Sequence, residues 1–208
     1  FRRVLFRSLF WIHNDDPAIP VERIVEDFNR VIETGKVRAV GCSNWTVKRL
    51  EAANTYAHAK GLHGFWANQI QWSLAEAEPA YVKAFNALVM DRESYDWYVK
   101  NDIAVFAFSA AARGFFSIAA KGGVEAVPER TMSFFGTPDN LKRLENVKKF
   151  AQTRHVSPAV PVLGYITNNR LKSVALTSAS RPEVLEETME AANVEMTAEE
   201  ADALYNVG

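Results

Sequence analysis

Residues 35–45 read GKVRAVGCSNW, a short apolar run between a glycine and a polar dipeptide. Apolar residues recur at helical spacing from Val21 to Ile32, so Gly35 is predicted to end a helix there. The pattern then predicts a strand over residues 37–40 and a helix over residues 46–60. A helix, a strand and a second helix in such close succession are typical of the repeating units of a parallel sheet.

The same alternation continues along the chain. Further strands are predicted over residues 9–12, 65–70, 103–108 and 173–176, with helices between them. The first three predicted strands end near positions 13, 41 and 69, which are 28 residues apart. We therefore predict an α/β fold with a parallel sheet, either doubly wound or a (β/α)8 barrel. Five units match five-eighths of a barrel, because a complete barrel needs about 250 residues.

Motifs, charge and composition argue against several functional classes of protein. The sequence contains neither GxGxxG nor GxxxxGK[ST], the two glycine-rich phosphate-binding fingerprints. The 208 residues include 24 Lys+Arg and 25 Asp+Glu, a net charge of −1, which argues against nucleic acid or an anionic membrane as the main partner. No apolar run approaches the roughly 20 residues that span a bilayer. Because Cys42 is the single cysteine, we expect a reducing compartment and a cytoplasmic location.

The first eight residues, FRRVLFRS, follow no structural pattern. The apolar stretch after Arg7 is about five residues long, which is too short for the core of a signal peptide. The octapeptide resembles one reading frame of a sequencing adapter, so residues 1–8 are expected to be non-native. Residues 9–208 are then expected to form one domain whose upstream part has been lost.

Polar residues cluster where the predicted strands end. Because the carboxyl ends of parallel strands meet on one face of a barrel, these side chains are expected to form a binding face. The polar groups at five successive strand ends are His13, Ser43-Asn44, Asn68-Gln69, Ser109 and Ser180-Arg181.

Five segments, taken in order, resemble consecutive signatures of the aldo-keto reductases. They are LFWIH (9–13), GKVRAVGCSNW (35–45), ANQIQWS (67–73), FAFSAAARG (106–114) and SRPEVLEET (180–188). The resemblance spans residues 9–208 and implies a partial (β/α)8 TIM barrel, strands four to eight with their helices. It also implies reduction of aldehydes or ketones by hydride transfer from NADPH, with a Tyr as general acid assisted by Lys, Asp and His.

The resemblance implies roles at the nicotinamide end of the cofactor. His13 matches the catalytic histidine that orients the substrate carbonyl, and Asn14 and Trp45 match the substrate pocket. The residues that match nicotinamide contacts are Ser43, Asn44, Gln69 and Phe108, where Phe108 replaces the usual stacking Tyr.

Further roles are implied at the phosphate and adenosine end. The loop that crosses the pyrophosphate is matched by Ser109, Arg113 and Gly114, and the 2′-phosphate site by Ser180 and Arg181. Glu187 matches a carboxylate that contacts adenine. Val184 and Thr188 depart from the Gln and Asn that relatives often carry. The implied cofactor is NADP(H), with NAD(H) as the alternative.

Three catalytic residues that the family implies are missing from this sequence. Its Asp, Tyr and Lys would precede Leu9, and the six tyrosines present lie in predicted helices. The chain is therefore expected to be an inactive fragment of an NADP-dependent reductase. Two alternatives stay open. One is a non-catalytic NADP-binding regulatory subunit that resembles the β subunits of potassium channels, and the other is a different phosphate-binding barrel such as an aldolase or isomerase.

The expected partner is a small carbonyl compound, and the oligomeric state stays open. No metal site is predicted. His58 and His63 are five residues apart, unlike the i, i+4 pair of a metal-binding helix.

Overall fold

The computed structural model describes residues 7–179 and 181–207, which fold into a five-stranded sheet and ten α-helices. The strands are β1 (Arg7–Ile12), β2 (Val37–Ser43), β3 (Ala67–Gln71), β4 (Ala104–Phe108) and β5 (Ser173–Ala175). The helices are α1 (Val21–Glu33), α2 (Val47–Ala59), α3 (Pro79–Phe85), α4 (Arg92–Asn101), α5 (Phe115–Gly122), α6 (Glu129–Phe135), α7 (Pro138–Arg154), α8 (Ala159–Thr167), α9 (Pro182–Glu190) and α10 (Ala198–Tyr205). The predicted α/β fold is confirmed.

All strand pairs are parallel, and the strands are ordered β1-β2-β3-β4-β5 across the sheet. A doubly wound sheet reverses its strand order at a switch point, whereas a barrel adds each strand beside the previous one. The sequential order therefore rules out the doubly wound alternative. Within the described residues, β1 is hydrogen-bonded to β2 alone and β5 to β4 alone, so both are edge strands.

The sheet is strongly curved. Gly41 of β2 lies opposite Trp11 of β1, and a Cβ atom on this glycine would come within 2.5 Å of the indole ring. The Trp11 ring thus passes over β2 and meets Phe106 of β4 edge to face, with 4.9 Å between the ring centroids. In a flat sheet the backbones of β1 and β4 would lie about 14 Å apart. Contact between the two rings therefore requires the sheet to curl toward this face.

The opposite face of the sheet packs against the helices. Val40, Cys42, Val105 and Ala107 on this face are buried in one apolar cluster that includes Leu50 of α2. Cys42 is fully buried, its Sγ lies 3.6 Å from the Ala67 carbonyl oxygen, and burial raises the pKa of its thiol. Cys42 is therefore a core residue.

Most element boundaries lie within two residues of the sequence predictions, and the end of β2 differs most. Strand β2 continues to Ser43, three residues beyond its predicted end, because its ladder with β3 extends to the Ser43–Gln69 pair. Gly35 follows α1 in the left-handed conformation, at φ 71°, as a helix-ending glycine should. None of the helices in the described part of the chain is long and apolar enough to span a bilayer.

Candidate functional site

A cleft of about 1040 Å³ lies between the loop after β4, helix α5, helix α8 and the start of α9. Its floor is apolar and includes Val162 and Leu163 of α8. The walls hold five of the residues predicted to bind cofactor, brought together from two separate parts of the chain. These five residues are Ser109, Arg113, Gly114, Arg181 and Glu187.

The loop after β4 has an unusual backbone. Ser109, Ala112 and Arg113 all have positive φ angles, of 53°, 46° and 54°, and Gly114 follows at 81°. The left-handed conformation costs a non-glycine residue about 1–2 kcal/mol, and residues held in such conformations concentrate at binding sites. The loop conformation marks residues 109–114 as a functional segment of the cleft wall.

Two helix N-termini border the cleft. Helix α5 begins at Phe115, immediately after the strained loop, and α9 begins at Pro182, immediately after Arg181. The N-terminus of a helix carries a partial positive charge and unpaired N–H groups, which favour bound anions. The cleft therefore combines two helix ends with the cations Arg113 and Arg181. It is suited to a ligand that carries phosphate groups.

The cation Arg181 is available to a ligand. Its side chain is exposed and makes no ion pair with any residue in ranges 7–179 and 181–207. Ser180, the predicted hydroxyl partner beside it, lies outside the described residues.

Glu187 has a different set of contacts from those predicted. Its carboxylate pairs with Lys121 of α5, with 2.5 Å between Oε1 and Nζ, and its second oxygen lies 3.5 Å from the Ser157 hydroxyl. Lys121 and Glu187 are both cleft residues, on α5 and α9, so the ion pair joins the two walls. The sequence patterns did not single out Lys121, because a lysine late in a short helix carries no motif.

The residues predicted to hold the nicotinamide carboxamide lie together, because Ser43 at the end of β2 pairs with Gln69 of β3 and Asn44 follows directly. The Ser43 hydroxyl donates to the Gln69 carbonyl oxygen at 2.9 Å, and the Asn44 Oδ1 accepts from the Leu88 N–H at 2.9 Å. These internal hydrogen bonds fix Ser43 and Asn44, the latter with a φ angle of 57°. The Gln69 side chain is partly exposed and makes no hydrogen bond within the described residues. The Gln69 amide can therefore form hydrogen bonds to a ligand.

The remaining predicted residues lie outside the 1040 Å³ cleft. His13 and Asn14 follow β1 and are exposed, and Phe108 ends β4 partly buried. The assignment of Trp45 to the substrate side has to be corrected, because its side chain is fully buried. The indole packs 4.9 Å from the Phe65 ring, and the Arg49 guanidinium covers its other side. Trp45 belongs to the core, where it is part of the buried apolar cluster.

A second cavity, of about 540 Å³, lies beside the C-terminal helix α10. Next to it, Arg143 of α7 is only 3% exposed and pairs with Glu76 at 2.6 Å. The Tyr205 hydroxyl donates to the same Glu76 oxygen at 2.6 Å, and Arg143 donates to Asn140 and to the Tyr205 carbonyl. This polar network ties the loop after β3 to α7 and α10. It is structural, and no sequence motif points to it. Within the described residues, no cluster of His, Cys, Asp or Glu could hold a metal ion.

A model of the Aldo/keto reductase family matches residues 8–207 of this sequence. The chain belongs to the aldo/keto reductase family. Among curated relatives, "Probable aldo-keto reductase 1" of Glycine max is 23% identical over 210 residues, covering 97% of this chain and 55% of that protein. An "uncharacterized oxidoreductase" of Mycobacterium tuberculosis is 29% identical over 203 residues, covering 94% of this chain and 57% of that protein. This aldo/keto reductase chain thus spans about half the length of the curated relatives it matches.

Solved structures show the same fold. A thermostable aldo-keto reductase crystallised with the inhibitor epalrestat matches 98% of this chain and 60% of its own, with a TM-score of 0.69 and 18% identity. The aldo/keto reductase of Klebsiella pneumoniae in complex with NADP and acetate matches 96% of this chain and 58% of its own, with a TM-score of 0.64 and 18% identity. Because the chain belongs to this family, the alternative of a different phosphate-binding barrel such as an aldolase is wrong. The partial barrel and the loss of upstream residues stay predictions.

Proposed function

We propose that this chain forms the NADP(H)-binding part of an aldo/keto reductase that reduces aldehydes or ketones to alcohols. The observation that carries the proposal is the cleft between the loop after β4 and the start of α9. A dinucleotide needs a long cleft with anion-binding groups, and this cleft has two helix N-termini and the cationic side chains of Arg113 and Arg181. When bound, the nicotinamide supplies the hydride for carbonyl reduction.

Separate groups of this chain serve the two ends of the cofactor. Arg181 and the start of α9 are proposed to hold the 2′-phosphate, and residues 109–114 the pyrophosphate. Gln69, with Ser43 and Asn44 beside it, is proposed to orient the carboxamide, and His13 to orient the substrate carbonyl. Glu187 would contact adenine only after giving up part of its ion pair with Lys121.

Several parts of this proposal concern the whole protein and not the cleft alone. Carbonyl reduction is proposed for the whole protein, with the Asp, Tyr and Lys that the family resemblance implies, and a non-catalytic NADP-binding subunit would use the same cleft. A cytoplasmic location, NADP(H) rather than NAD(H), and a small carbonyl compound as partner are likewise proposed. Cofactor binding is the step that this chain can test directly.

The test compares wild type with Arg181→Ala. A charge-assisted hydrogen bond to phosphate contributes about 1.5–3 kcal/mol, so the substitution should weaken NADPH binding about 10- to 150-fold. NADH lacks the 2′-phosphate, so its affinity should change little. Both affinities are measured by fluorescence titration of each cofactor.

The matched control is Arg23→Ala, which removes an exposed arginine of α1 that pairs with Asp27. It should leave both affinities unchanged. Raised salt should reduce the NADPH preference of the wild type, because an exposed ionic contact is screened. If NADPH and NADH affinity fall together in Arg181→Ala, or neither falls, Arg181 is not the phosphate anchor.

A further inference from the structure

Tyr81 is a buried tyrosine whose position is fixed by aromatic packing. It lies on α3, is almost fully buried, and contacts three phenylalanine rings. The Phe85, Phe134 and Phe135 ring centroids lie 4.8, 5.4 and 5.3 Å from that of Tyr81. Helix α3 is also tied to α6, because the Glu78 N–H donates to the Phe134 carbonyl at 2.8 Å. The Tyr81 hydroxyl is therefore held in one place.

That place is the rear of the cleft wall. The Tyr81 Oη lies 2.7 Å from the Oγ of Ser109, a cleft residue that follows β4 in the left-handed conformation. The two residues come from different elements and meet only through the tertiary fold. A phenol buried among apolar rings needs a hydrogen-bond partner, and Ser109 supplies it.

The direction of this hydrogen bond decides what Ser109 can do. A serine hydroxyl has one proton to donate and two lone pairs to accept with. If Ser109 donates to Tyr81, it has no proton left for an anion in the cleft. If Tyr81 donates to Ser109, the serine proton is free to point into the cleft, and the two hydrogen bonds strengthen each other. A phenol is more acidic than an alkyl hydroxyl, so Tyr81 is the better donor of the two and Ser109 the acceptor.

We propose that Tyr81 is a positioning residue that turns the Ser109 hydroxyl toward a phosphate of the bound dinucleotide. The proposal rests on the proposed function, since it assumes a phosphate in the cleft. Tyr81 itself touches no ligand and acts only through Ser109. The Tyr81 phenol donates a hydrogen bond to the Ser109 hydroxyl, and the Ser109 hydroxyl donates one to the phosphate.

The experiment titrates NADP⁺ into the full chain by calorimetry for wild type, Tyr81→Phe, Ser109→Ala and the double variant. Ser109→Ala removes the donor to phosphate and should weaken binding about 10- to 100-fold. Tyr81→Phe keeps the ring and its packing but leaves Ser109 unoriented, so binding should weaken about 3- to 10-fold. The double variant should bind no more weakly than Ser109→Ala, because Tyr81 has no route to the ligand except through Ser109.

Tyr98→Phe is the matched control. Tyr98 is equally buried, and its hydroxyl accepts from the Asn68 amide at 2.7 Å on the helix-facing side of the sheet. Its loss should lower stability but leave NADP⁺ affinity unchanged. A Tyr81→Phe variant that binds NADP⁺ like wild type, or effects that add in the double variant, would overturn the role of Tyr81. If wild type itself does not bind NADP⁺, the proposed function is overturned together with the role of Tyr81. If wild type binds and only the role of Tyr81 fails, the proposed function stands, so the two failures can be told apart.

A second readout does not depend on the folding of Tyr81→Phe. In the wild-type chain labelled at tyrosine Cζ with ¹³C, NADP⁺ should shift the NMR signal of one buried tyrosine, because its hydroxyl becomes a stronger donor. The same signal should stay in place when NADP⁺ is added to Ser109→Ala. A wild-type spectrum that NADP⁺ leaves unchanged would contradict the proposal.

Discussion

At the scale of single residues, Glu76 shows how the structure sets a pH dependence. Partial burial alone would raise the pKa of Glu76, but the hydrogen bonds from Tyr205 and Arg143 outweigh it and hold the pKa below its ordinary value of 4.5. A carboxyl group with a lowered folded-state pKa stabilises the fold above its unfolded-state pKa. This stabilisation is lost as the pH falls through the lower, folded-state value.

We therefore predict a pH-dependent difference between wild type and Glu76→Gln. Because the Glu76 side chain is 49% exposed, solvent screens its ion pair, and the difference in unfolding free energy at pH 7 should be about 0.5–1 kcal/mol. The difference should shrink as the pH falls below 4.5, where the unfolded chain takes up the proton. Urea denaturation at several pH values measures it. A difference that stays constant from pH 7 to pH 3 would show that the charge of Glu76 contributes nothing.

The sequence predicted which residues share the cleft but not all of their side-chain contacts. The family motifs predicted that Arg113, Arg181 and Glu187 share one site, because motif position fixes where each strand end falls. They did not predict that Glu187 pairs with Lys121, or that Trp45 is buried. Those contacts depend on which helices pack together, and no local pattern in the sequence encodes that.

At the scale of elements, helix caps were predictable. Thr137 caps α7 by accepting from the Asn140 N–H at 3.0 Å, with Pro138 in the first turn. Thr197 and Glu200 form a capping box at the start of α10, a pattern that the sequence T-x-x-E carries locally. Helices α3, α5 and α6 lack such a signal, since their N-caps Glu78, Gly114 and Pro128 form no side-chain capping hydrogen bond. Tertiary packing of aromatic side chains stabilises these short helices in place of a local signal.

The end of α7 offers a prediction about stability. His155 follows the helix in the left-handed conformation, with φ 52° and ψ 44°, and is exposed. Glycine adopts this conformation without steric cost, although it gains more entropy in the unfolded chain. His155→Gly should therefore raise the free energy of unfolding by about 0.5–1 kcal/mol. Chemical denaturation measures the change.

The control for this prediction is the end of α1. Thr34 occupies the corresponding cap position with φ −68°, which is an ordinary right-handed conformation. Thr34→Gly should lower the free energy of unfolding, because glycine adds its entropy cost there and the hydrogen bond from the Thr34 hydroxyl to the Val31 carbonyl is lost. If His155→Gly is no more stable than wild type, the left-handed conformation of His155 carries no steric cost, and the prediction is wrong.

At the scale of the whole molecule, the curved parallel sheet brings the cleft together. Sequential strand order places the ends of β4 and β5 side by side, and the loop after β4 then faces the start of α9. The edge strands leave apolar side chains in water, since Phe10 is 43% exposed and Val174 is 41% exposed. The spacing of the strands in the sequence predicted a parallel sheet, and the family resemblance predicted the strand order of a barrel. The spacing could not predict the curvature, which depends on Trp11 crossing Gly41 to reach Phe106.

The most direct test of cofactor binding in this cleft is hydrogen–deuterium exchange of the chain with and without NADP⁺. The cofactor should slow amide exchange in two separate segments, residues 109–122 and residues 181–190, because they form the opposite walls of the cleft. The effect should weaken in Arg181→Ala. Protection that is absent from both segments, or confined to the cavity beside α10, would contradict the assignment of this cleft to NADP(H).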